Sequence, residues 1–88
     1  MEPLRFLSRH RGFRMNFEAH GTWPGPVTVH RISHSGYVHR AHIFTVTPTD
    51  DASYLITPNP DAPYVVPAWE ADAIALAMLI AQIRAQLP

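Results

Sequence analysis

With 88 residues, 47% of them hydrophobic and 16% charged, the chain has material for one folded domain and too little charge for a disordered tail. Seven arginines balance seven acidic residues, which excludes an overall cationic nucleic-acid coat and a polyanionic mimic while leaving room for a local patch. The absence of cysteine removes disulfides, thiolate nucleophiles and cysteine-ligated zinc, and the longest apolar run, residues 73–81, is far shorter than the roughly 20 residues that cross a bilayer. We therefore expect a cytoplasmic protein with no membrane partner and no cofactor.

Residues 1–12 carry Arg5, Arg9 and Arg11 around Leu4, Phe6 and Leu7, and read either as a short turn of helix or as a flexible basic arm. Strict alternation begins at Phe13, where Phe13, Met15, Phe17 and Ala19 interleave with Arg14, Asn16, Glu18 and His20. A period of two predicts a half-buried strand over residues 13–20. Residues 21–26, with Trp23-Pro-Gly-Pro, form a turn, because Pro24 and Pro26 cannot donate to a ladder.

Two strands follow, residues 27–33 and 37–47, joined around Ser35-Gly36. A two-residue loop pairs Ile32 with His39, His30 with Ala41 and Val29 with His42, and gathers Val27, Val29, Val38, Phe44 and Val46 on one face. A three-residue loop with Gly36 in a bulge pairs Ser33 with Tyr37 instead. The first register gives the more apolar face and is the expected one, since a slip by one residue sends every side chain across the sheet.

A turn over residues 48–51 leads to a strand at 53–57. The Pro58-Asn-Pro-Asp-Ala-Pro63 loop is too rigid for helix or central strand, and residues 64–66 are expected to pair back as a short edge. Pro67 then opens a helix over residues 67–87, with Glu70 and Asp72 near its start and Arg84 near its end, as the helix dipole favours. Trp69, Ala73, Leu76, Ile80, Ile83 and Leu87 recur at i, i+4, i+7 and form the expected core stripe. Ile74, Met78 and Leu79 lie off it, so the apolar surface is wider than one sheet face requires; either the sheet curls around the helix or a homodimer covers the remainder. The fold class is α+β: an antiparallel sheet of four to five strands, with one C-terminal helix packed on one face, in a single domain spanning residues 1–88.

Six histidines are the least ordinary feature of the composition. In the expected register His39 lies diagonal to His30 and His34 with Tyr37 beside them, near enough for three imidazoles to share a zinc ion as a hydrolase site would, although no carboxylate is apparent to orient them. Exposed, independently titrating strand histidines are the plainer account, so no metal is assigned. Glu18 and His20 form a conceivable general-base pair on one strand face. No nucleophile elbow, P-loop, dinucleotide fingerprint or H-E-x-x-H motif is present, and the chain reads as non-catalytic.

A sheet with one helix leaves its other face open, and histidine, tyrosine and isoleucine mixed there suit a protein partner. The principal expectation is a small protein-binding module acting through His30, Ile32, His34, Tyr37 and His39, with Trp23 as an aromatic anchor in a rigid turn. Its size and lack of catalytic motifs are compatible with the phage-type inhibitors that occlude bacterial defence complexes. The alternative is nucleic-acid binding through Arg5, Arg9, Arg11 and Arg14, with the His30, His34, His39 metal-dependent hydrolase as a further alternative. A homodimer through the helix or the open sheet face is compatible with either binding role.

Overall fold

The computed structural model describes residues 4–10, 13–21, 25–35, 37–49 and 53–86. Five strands, β1 (Leu4–His10), β2 (Phe13–His20), β3 (Val27–Ser35), β4 (Tyr37–Pro48) and β5 (Tyr54–Pro58), precede one helix, α1 (Ala68–Gln86). The strands pair in sequence order, each antiparallel to the next, as one five-stranded sheet. The expected α+β class, antiparallel sheet and C-terminal helix are thus present.

Each outer strand earns its place by alternation. In β1 Leu4, Phe6 and Ser8 are partly buried while Arg5, Leu7 and Arg9 are exposed, so the stretch expected as a flexible arm or helical turn is a strand along the full length of β2. On the helix side the register aligns Leu4, Ala19, Val29 and Phe44 in one row and Phe6, Phe17, Arg31 and Ala41 in the next. Phe17, Val27, Val29, Val46, Ala75 and Met78 are fully buried between sheet and helix. Gly21 ends β2 with φ of 140°, where an added Cβ would stand 2.5 Å from the Pro26 carbonyl oxygen, so only glycine fits there without strain.

The β3–β4 hairpin follows neither expected register. Ser35 pairs with Tyr37, Ile32 with Arg40, Arg31 with Ala41 and His30 with His42; the ladder then shifts by one residue, so Val29 faces Phe44 and Val27 faces Val46. Gly36 lies outside the described residues. Ile43, placed on the open face by simple alternation, is the extra residue of this bulge and is buried in the core. Asn59 at the start of the proline loop meets the carbonyls at the bulge: its backbone N–H donates to Ile43 O at 2.8 Å and its Nδ2 to His42 O at 3.0 Å. Its Oδ1 accepts from Asp61 N, an Asx turn that sets the loop's direction.

Residues 64–66, expected as an edge strand, are irregular; Tyr64 and Val66 pack on the core and Val65 stands 91% exposed. Pro63 and Pro67 on either side remove the donors that a ladder would need. Pro67 itself sits just before α1, its carbonyl accepting from Glu70 N and Ala71 N.

The helix presents the opposite face from the one expected. Glu70, Ala71, Ile74, Ala75, Met78 and Leu79 are buried against the sheet, whereas Trp69, Leu76, Ile80 and Ile83 are 56%, 50%, 41% and 44% exposed. Leu87 lies outside the described residues. Ala71 and Ala75 explain the choice: small side chains let the helix backbone approach the sheet, and Met78 fills what remains.

Two predictions follow from this packing. Met78→Ala should cost about 2–5 kcal/mol in denaturant unfolding and Leu76→Ala less than about 1 kcal/mol, the reverse of what the sequence periodicity alone implies. Asn59→Ala should cost about 1–2 kcal/mol in the same measurement, because it leaves the His42 carbonyl without its side-chain donor.

Candidate functional site

Among the described residues no strand or helix covers the side of the sheet away from α1, and the register decides what it carries. Arg5, Glu18, His30 and His42 form one cross-strand row, Leu7, Asn16, Ile32 and Arg40 the next, and Arg9 with Arg14 continues toward the β1–β2 turn. Glu18 is the chemical centre. It is only 2% exposed although it belongs to this face, and the His20 and Arg40 side chains lie against it. Its Oε1 lies 2.8 Å from His20 Nε2 and accepts from Arg40 Nε at 3.4 Å, while Oε2 is buried with no hydrogen-bond partner among the described residues.

Three imidazoles run across the strands beside this carboxylate. His20 and His30 meet edge to face with centroids 4.9 Å apart, and His30 and His42 stand 5.5 Å apart at a tilt of 38°. His42 Nε2 is 3.1 Å from Thr45 Oγ1, while His30 Nδ1 is buried without a partner. Burial lowers the His30 pKa below 6.5, and His20, His42 and Arg40 push the same way against the opposing pull of Glu18. His30 is accordingly neutral at neutral pH. A shallow depression of about 350 Å³ lies next to it, with Arg5, Leu7, Asn16, Glu18, Ile32 and Arg40 among its walls.

A second polar group lies on the helix side. Ser8 Oγ donates to Glu70 Oε1, tying β1 to the first turn of α1, and the Arg31 guanidinium stacks 4.7 Å from the centre of the Tyr64 ring. Burial, with Glu70 adding to it and Arg31 opposing it, pushes the Tyr64 hydroxyl up to about 12 and keeps it neutral. This cluster joins sheet, loop and helix. A cavity of about 520 Å³ between β4, β5, the proline loop and the start of α1 has mostly apolar walls.

His30 and Ile32 lie on the uncovered face as expected; Arg5, Arg9 and Arg14, read from the sequence only as a basic stretch, lie there too. His39 pairs with Ser33 and alternates to the side of Ala41, away from His30, so the imagined His30, His34, His39 trio does not converge. The side chains of His34 and Tyr37 lie outside those described, as do Trp23 and Arg11. Among the described residues no cluster of three or more histidine or acidic side chains has the geometry to hold a metal ion. Glu18 and His20 do meet, and the contact orients an imidazole as the carboxylate of an acid–base dyad does; the groups beside it are Arg40 and His30, a cation and a second ring rather than a nucleophile.

His42 and Arg40 were missed; the available signal was local, since Ile43 and Phe44 are consecutive apolar residues and a bulge between His42 and Phe44 changes which side the preceding residues face. Among the described residues no helix is long and apolar enough to cross a membrane. The chain matches no protein family, no curated protein and no solved structure.

The depressed His30 pKa has a definite linkage. Below about pH 6.5 the unfolded chain takes up a proton at His30 that the folded chain resists, so stability falls as pH drops from 6.5 toward the lower folded value. Melting temperatures recorded from pH 8 to pH 5 should decline on the acid side with a slope that His30→Gln reduces. An NMR titration placing His30 at or above 6.5 would refute the assignment.

Proposed function

We propose that the protein is a small non-catalytic protein-binding module whose docking surface is the outer face of α1. The supporting observation is that this helix is apolar on two opposite sides. Ala71, Ile74, Ala75, Met78 and Leu79 pack on the sheet, and Trp69, Leu76, Ile80 and Ile83 are left at the surface a half-turn away. A helix with water on its far side is ordinarily polar there; one that is apolar all round belongs between two surfaces. Burying each half-exposed side chain contributes on the order of 1 kcal/mol, so four in line supply a substantial part of a specific interface. Asp72 and Arg84 flank the stripe near its two ends and give a partner its polar rim.

In this role the protein acts by covering a surface on its partner, as a phage-type inhibitor of a bacterial defence complex would, without turning over a substrate.

The test is a pull-down from native host extract with mass identification, run beside a Leu76→Glu/Ile80→Glu variant. Wild-type protein should retain one protein in stoichiometric amount, and the variant should lose it with its melting temperature unchanged. Light scattering on the pure protein reads whether that partner is a second copy. A monomeric protein that retains nothing specific, or a variant that binds as well as wild type, refutes the reading.

A further inference from the structure

The uncovered sheet face is chemically unlike the helix face and calls for a different occupant. Arg5, Arg9, Arg14 and Arg40 are all exposed and all belong to this side by register. Arg5, Arg9 and Arg14 come from the basic stretch at the start of the sequence, and the fold adds Arg40 from β4. The carboxylate that the described residues place among them, Glu18, is buried and engaged by Arg40 and His20. The exposed carboxylates among the described residues, Asp61 and Asp72, stand on the proline loop and the helix. Among the described residues this side of the sheet thus carries four exposed arginines and no exposed carboxylate.

Between the arginines lie flat rings. His30 and His42, 5.5 Å apart and only partly buried, sit in the cross-strand row that starts at Arg5 and Glu18, with Ile32 and Asn16 in the adjacent row. Guanidinium groups grip phosphates, while imidazoles and short apolar side chains offer faces on which unpaired bases stack. A duplex keeps its bases inside and exposes only phosphate to a broad sheet, so this mixture favours a single strand.

We propose that the uncovered face of the sheet binds single-stranded nucleic acid, with Arg5, Arg9, Arg14 and Arg40 on phosphates and His30 and His42 beneath bases. The site is separate from the protein-docking face of α1 and does not depend on it.

The experiment is fluorescence anisotropy at pH 8 with labelled 12-nucleotide single strands of RNA and DNA, the matching duplex, and heparin as competitor, over a series of salt concentrations. Four neutralised phosphates predict a slope of log affinity against log salt near about −2.8 for the single strand. Arg9→Ala/Arg14→Ala should weaken binding and reduce that slope to about half. His30→Gln, which keeps every arginine, should lower affinity at least about fivefold with the slope unchanged, the signature of lost stacking. Circular dichroism confirms that each variant is folded, and the wild-type comparison of single strand with duplex stands without any variant. The proposal is overturned if wild-type protein shows no salt-dependent binding or if it holds the duplex as tightly as the single strand. It is equally overturned if His30→Gln binds like wild type, which would leave a surface for any polyanion.

Discussion

Between the Val29–Phe44 and His30–His42 pairs the ladder slips by one residue, and Ile43 is the residue of β4 left without a partner on β3. Before the slip, Arg40 and His42 face away from the helix; after it, Phe44 and Val46 face toward it. An unbulged β4 would have to choose: either Phe44 and Val46 lose the core, or Arg40 and His42 leave the open face. The extra residue lets one strand serve both, and Asn59 makes it tenable by donating to the His42 and Ile43 carbonyls. The proline loop is fixed by the same contacts, which in turn start α1 at a defined place over the sheet.

The helix shows why periodicity can be read correctly and still point the wrong way. Trp69, Ala73, Leu76, Ile80 and Ile83 recur as regularly as Ala71, Ile74, Ala75, Met78 and Leu79, and the first set contains the larger side chains. Hydrophobicity alone favours the larger set for burial. Packing favours the set that lets two backbones come close while one long flexible side chain, Met78, fills the gap, and the completely buried Ala75 marks the approach. Glu70 adds a polar constraint, since turning the helix over would part it from Ser8. Neither consideration is visible before a sheet is in place to pack against.

The strands from β2 to β5 and the C-terminal helix were legible because each rests on a local property, alternation or a change of period, whereas β1 reads as an arm or a helical turn. The cross-strand chemistry was not legible, because it depends on register, and register in β4 turns on the Ile43-Phe44 pair. The expected trio of His30, His34 and His39 assumes unbroken alternation; the observed row of His20, His30 and His42 requires the bulge and the pairing of β2 with β3. Arg31 was likewise unreadable. It lies between His30 and Ile32 in sequence, yet its guanidinium passes to the helix side and stacks on Tyr64, a residue 33 positions later by the numbering of the chain.

A buried carboxylate at the centre of a cationic face looks like a contradiction for a surface that is to meet phosphate. The energetics resolve it. An isolated buried Glu18 would be costly, but Oε1 is shared between His20 and Arg40, so much of its field is cancelled within a few ångströms. What remains outside is positional: the carboxylate fixes where Arg40 and His20 stand, and groups held in place lose less freedom on meeting a ligand than groups that must first be ordered. Arg5, Arg9 and Arg14 carry the long-range attraction from the exposed side of β1 and β2. Among the described residues the acid of this face therefore orders Arg40 and the His20 ring, and being almost fully buried it does so without offering its own charge to solvent.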